Sequence, residues 1–215
     1  MAIEYVSQAG PTAGPSTGTS TAIPSPANME SGDLLVCAAL NYYGALTWPA
    51  GWTVLTSGFW CLGYRFWEAG GLGSFSHTNY RGNEGCAYTC CFRGVADYGG
   101  RTGSGSNATS VPLSATTDAA GCLVLGLRYT WTYTSSGTPS LSGEPLTLKK
   151  ATKINIVRYA DWLAGYKIQG EAGGTGTVNF NVSATPGGSQ SQLMWFRPQV
   201  TIRRATRRFA RGLRY

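Results

Sequence analysis

Charge is scarce in this chain: 13% of its 215 residues are Asp, Glu, Lys or Arg, and it holds a single histidine, His77. A Ser-His-Asp or Cys-His site therefore has one candidate base, and His77 lies in alternating Ser and Phe that reads as an ordinary strand. Long apolar runs are missing as well. Nothing approaches the roughly 20 residues that a helix needs to cross a bilayer. Met1-Ala2-Ile3-Glu4-Tyr5 has neither a basic n-region nor an apolar h-region, so no secretory signal is predicted and synthesis in a cytoplasm is expected. Phosphate-binding loops and dinucleotide fingerprints are absent. So are Cys-x2-Cys knuckles, because the closest cysteines run Cys86-x3-Cys90-Cys91; no metal and no cofactor is predicted. The ten carboxylates are scattered. Glu68 and Glu171 share a Glu-Ala-Gly-Gly setting that reads as a strand-ending turn rather than as a glycosidase pair. The chain is read as non-enzymatic.

What is present points to strands and turns. Thirty glycines with 12% aromatics and little charge suit an all-β protein, whereas disorder would demand fewer aromatics and more charge. The organising stretch is Glu30 to Leu55. Ser31-Gly32-Asp33 has turn chemistry and launches the apolar run Leu34 to Leu40, too short for an independent helix. Pro49-Ala50-Gly51 then turns the chain into Trp52-Thr53-Val54-Leu55.

The pattern then starts again. Gly121-Cys122-Leu123-Val124-Leu125 resembles Gly32-Asp33-Leu34-Leu35-Val36, and Leu163-Ala164-Gly165-Tyr166-Lys167 resembles Cys61-Leu62-Gly63-Tyr64-Arg65. Glu171-Ala172-Gly173-Gly174 repeats Glu68-Ala69-Gly70-Gly71, and Phe196-Arg197 answers Phe92-Arg93. Two homologous halves are predicted, at about 19–95 and 108–200, with Gly99 to Asn107 as a Gly/Ser linker between them. The expected fold over residues 1–200 is a jelly-roll-like or immunoglobulin-like β-sandwich built from these halves.

Six cysteines, Cys37, Cys61, Cys86, Cys90, Cys91 and Cys122, allow 15 pairings. Adjacent strand residues face opposite ways, so Cys90 or Cys91 is expected to reach the surface and to join a disulfide in the mature assembly. Tyr42, Tyr43, Trp48 and Trp52 flank one turn. Rings there would either stack on sugar or anchor a partner, or plug the end of the sandwich.

The net charge of +7 belongs to the tail. Arg203, Arg204, Arg207, Arg208, Arg211 and Arg214 supply six of seventeen basic residues, and the body carries eleven against ten acidic ones. Residues 201–215 read as a short basic arm, with Phe209 and Leu213 as apolar anchors, suited to an acidic surface on a neighbouring protein. Nucleic acid is disfavoured, because a DNA-binding body would also be basic.

Ser31-Gly32-Asp33-Leu34-Leu35-Val36, Pro49-Ala50-Gly51-Trp52-Thr53-Val54-Leu55, Tyr64-Arg65-Phe66-Trp67-Glu68-Ala69-Gly70 and Phe92-Arg93-Gly94-Val95 occur in an order that resembles the minor tail and tail-fibre β-sandwich proteins of tailed bacteriophages. The likeness covers 19–95, and 108–200 more weakly through the repeat. It implies a virion structural protein of the tail, baseplate, fibre or neck, in multiple copies or as a homo-oligomer among other virion proteins. A head-decoration protein and a host-surface glycan-binding module are the alternatives. The many cysteines and the Arg-rich end depart from the family pattern.

Overall fold

The computed structural model describes residues 2–13, 20–41, 45–77, 85–132, 138–155 and 159–200. The arm 201–215 and the pair Tyr42 and Tyr43 lie outside the described residues. What is described is β throughout, and no helix in it is long and apolar enough to cross a membrane.

The first half contains β1 (Glu4–Ala13), β2 (Ser20–Ala22), β3 (Leu34–Asn41), β4 (Leu46–Thr47), β5 (Thr53–Thr56), β6 (Trp60–Phe66), β7 (Ser74–His77) and β8 (Gly85–Arg93). The second contains β9 (Val95–Ser104), β10 (Ser110–Leu113), β11 (Thr116–Thr117), β12 (Cys122–Thr132), β13 (Ser140–Gly143), β14 (Thr147–Asn155), β15 (Tyr159–Gln169), β16 (Gly173–Gly174), β17 (Val178–Asn181) and β18 (Gly188–Pro198). A five-stranded sheet β1-β8-β3-β6-β5 and a three-stranded sheet β2-β7-β4 form the first half. The second repeats both orders strand for strand, as β9-β18-β12-β15-β14 and β10-β17-β13, and adds a β11-β16 ribbon. Register matches too: Leu34 pairs with Phe92 and Phe66, as Leu123 pairs with Phe196 and Ile168.

The two five-stranded sheets pack face to face. Leu34, Val36, Ala38 and Leu40 from β3 meet Leu123, Leu125 and Leu127 from β12 in one core, together with Phe92, Trp162 and Phe196. The opposite face of β3, with Leu35, Cys37 and Ala39, is covered by Ile23, Leu46 and Phe75 of the small sheet and its flanks. Val124, Leu163 and Leu193 are covered in the same way by Val111, Val178 and Phe180. Four layers result, and β3 is buried along its whole length. That explains a continuous apolar run where a half-exposed strand would alternate. Each fully buried aliphatic or aromatic side chain contributes about 1.5–3 kcal/mol from removal of apolar surface from water.

Of the Gly-rich stretch expected as a linker, Gly99 to Ser104 belong to β9, an edge strand of the second half. Its glycines have a packing use: a side-chain carbon at Gly99 or Gly100 would collide with the Trp195 indole. The boundary therefore falls at Gly94, which carries φ of +80° between β8 and β9.

Candidate functional site

The residues singled out in the sequence are placed mainly by the frame. The Trp52 ring is 8% exposed, and its indole N–H donates to the Leu72 carbonyl at 3.2 Å. Trp48 lies against it at 5.2 Å between centroids and meets Phe75 edge-on at 4.6 Å. Both plug the first half between its two sheets, so Trp52 has no open face for a sugar. Glu68 and Glu171 are exposed turn residues.

The cysteine expectation is corrected. All six thiols are free and buried. The β8 strand has a neighbour on each side and a layer over each face, so Cys90 points into the core between the large sheets and Cys91 into the core under the small one. Opposite faces of a strand do not guarantee a surface when both faces are covered. Burial pushes the thiols of Cys86, Cys90 and Cys91 up to about 12 and that of Cys61 to about 11. The expected disulfide is not formed.

Two repeat-related clamps are built from charged residues. Arg93, at the end of β8, makes a two-pronged contact with Asp33, Nε to Oδ1 at 2.9 Å and Nη2 to Oδ2 at 3.0 Å. Glu30 at 3.0 Å and Glu4 at 3.6 Å complete the cluster. The Asp33 side chain is 1% exposed. Burial alone would raise its carboxyl, but the Arg93 guanidinium and the Glu30 N–H outweigh it and hold the carboxyl below its usual range. Arg197 stands at the same place at the end of β18, paired with Asp118 and with Asp97 at 2.7 Å. The turn before each central strand is matched as well: Gly32 N–H donates to Trp67 and Gly121 N–H to Gln169, each at 2.7 Å.

Across the seam the halves trade equivalent groups. Gln8 Nε2 donates to the Lys149 carbonyl at 3.2 Å, and Arg101 Nη2 donates to the Leu55 carbonyl at 3.0 Å. Leu55 and Lys149 each sit where the pairing register slips, in β5 and β14. A bulge leaves a backbone group out of the ladder, and here the other half takes it up. Gln8 also accepts from the Tyr88 hydroxyl, as Gln192 Oε1 accepts from Arg101 Nη1 at 3.0 Å.

The seam at Arg101 is open. A cleft of about 390 Å³ lies between Thr56 of β5, Arg101 and Ser104 of β9, and Gln190 and Gln192 of β18, floored by Gly103 and Gly105. Gln192, 3% exposed, donates through Nε2 to Gln190 Oε1 at 3.2 Å, so an unbroken chain runs Arg101, Gln192, Gln190. Arg93 and Arg197 have carboxylate partners; Arg101 has none within ion-pair distance among the described residues.

No protein-family model, no curated protein and no solved structure matches the chain. Arg101 falls in the stretch that composition reads as a linker, and Gln190 and Gln192 carry no motif that marks them in sequence. A signal for Arg101 exists: Asp97-Tyr98 followed by Arg101 repeats the spacing of Glu4-Tyr5 followed by Gln8.

Proposed function

We propose that the chain is a non-enzymatic structural component of a tailed-bacteriophage virion, placed in the tail, baseplate, fibre or neck and held by contacts with other virion proteins. The observation that carries this reading is the role of the motif residues behind the family resemblance. Gly32 turns the chain at φ of +90° and Gly51 at +87°, Asp33 and Arg93 clamp each other, and Leu34, Leu35, Val36 and Trp52 fill two cores. These residues build a frame. The thiols are buried and Asp33, Arg93 and Arg197 are held in ion pairs within it, as expected of a part selected for rigidity. Of the two sandwich types, the strand order favours a jelly roll, with β1-β8-β3-β6 opposite β2-β7-β4 and β5 moved from the small sheet to the large one.

The arm belongs to the same reading. Residues 201–215 are proposed as the contact with an acidic surface on a neighbouring subunit, where exposed ion pairs of about 0–1 kcal/mol each leave Phe209 and Leu213 to decide the affinity. The test is mass spectrometry and imaging of purified particles from a host producing the chain. Stoichiometric copies in the tail or neck support the proposal, and copies on the head lattice would move it to decoration. Absence of the chain from particles would overturn it. Removal of 201–215 is expected to leave the frame folded and to abolish incorporation.

A further inference from the structure

The duplicated fold supplies its own control for the open seam. Register places Gln190 and Gln192 where the first half has Cys86 and Tyr88: Leu40 and Ala38 pair with the latter two, Tyr129 and Leu127 with the former. In the first half that position is closed: Cys86 is fully buried where Gln190 is half-exposed, and the buried Tyr88 ring lies 6.2 Å from Trp162. In the second half the phenol is replaced by an amide, and Arg101 stands where Gln8 does. The same frame is thus filled on one side and left as a polar recess on the other. Its stability does not require the recess, since the closed version folds in the same chain.

The chemistry of the recess selects a ligand class. Every side chain lining it is polar, and none is acidic or aromatic. A guanidinium has five N–H donors, and Arg101 spends two, on Gln192 and Leu55. Gln190 gives its oxygen to Gln192, which leaves its NH₂ as a donor beside the Ser104 hydroxyl, while the Thr56 hydroxyl donates to the Trp60 carbonyl at 3.1 Å and can only accept from a ligand. Such a set asks for a ligand rich in acceptors with one negative charge. One guanidinium matches a carboxylate in a forked geometry and is too little charge for a dianion. The volume lies within the span of about 300–1,000 Å³ typical of small-ligand sites. We infer that the cleft between β5, β9 and β18 binds a carboxylate-bearing sugar residue, its carboxylate on Arg101 and its hydroxyls on Gln190, Ser104 and Thr56. This inference is independent of the particle role proposed above.

The test uses the full chain, with D-glucuronate, D-glucose and acetate titrated separately and amide shifts followed by NMR. Saturable shifts at residues 101–105 and 190–192 with glucuronate are expected, with glucose and acetate each weaker by about tenfold or more. Arg101→Gln is expected to lower glucuronate affinity by about tenfold, a larger factor than it takes from the weak glucose response. Arg101 also braces the seam, so Gln190→Leu serves as the second variant, with thermal unfolding recorded for both; it should weaken glucuronate and glucose alike. Absence of saturable shifts with glucuronate, or equal affinity in folded Arg101→Gln, would overturn the site. Acetate binding as tightly as glucuronate would overturn the saccharide assignment.

Discussion

Tyr5 lies flat on Tyr166 across the seam, with ring centroids 5.6 Å apart and planes 12° from parallel. Phe92 meets both rings edge-on. The repeat-related set is Tyr98 on Tyr64, at 5.2 Å and 19°, with Phe196 edge-on to both. Each tyrosine of β1 or β9 thus stacks on the tyrosine of the other half's β15 or β6. Two copies of one cluster tie the halves together. Double-mutant cycles to Ala, read by urea unfolding, should give coupling of about 0.5–1.5 kcal/mol for Tyr5 with Tyr166 and for Tyr98 with Tyr64. The pair Tyr5 with Tyr98 should be additive within about 0.5 kcal/mol.

The thiols should be silent until the chain opens. With all six buried and their ionisation suppressed, a thiol reagent at neutral pH should find almost none in the native protein and six after denaturation without reductant. A count below six in denaturant would show that a disulfide forms after all.

Asp33 makes stability depend on acid. Its native carboxyl titrates below the unfolded value of about 3.9, so the native state gains from ionised Asp33 at all pH above that value. The gain is lost as pH falls through the lowered native pKa. Asp33→Asn should therefore be less stable than the parent at neutral pH, with the gap in melting temperature closing in strong acid. A gap that stays constant with pH would show that the loss is packing alone.

Two equivalent glycines should differ in tolerance. A Cβ on Gly63 would lie 2.8 Å from the Trp48 ring and 3.0 Å from the Thr53 carbonyl oxygen, neither of which yields easily. At Gly165 the nearest atom is a Leu141 methyl at 2.7 Å, on a partly exposed side chain that can turn away. Gly63→Ala should cost about 2–3 kcal/mol and Gly165→Ala about 1 kcal/mol, measured by chemical denaturation.

The long strands and the repeat were legible because burial on both faces leaves an unmistakable apolar run at Leu34–Leu40 and again at Leu123–Leu127. Glycine misled at Gly99–Gly105. Composition says loop, but here the missing side chains make room for Trp195 and Gln192 lying flat across the strand. The cysteines misled for a related reason: alternation tells which face a residue takes, and only the stacking of layers tells whether that face is covered. The open seam was invisible in sequence because it depends on Thr56 meeting Arg101 and Gln192, residues far apart in the chain.

Gly94 bears on ancestry. A Cβ there would come within 2.6 Å of the Ala2 carbonyl oxygen, and its own carbonyl accepts from the Gln199 N–H at 2.8 Å. The start of the first half, the junction and the end of the second therefore meet at one corner. In a symmetric dimer of single halves, all four chain ends would converge there. Tandem duplication of a gene for one half could join such a dimer into a single polypeptide with no linker, and from then on each copy would be free to diverge. One seam now holds a tyrosine and the other a glutamine, a difference that two identical protomers could never have acquired.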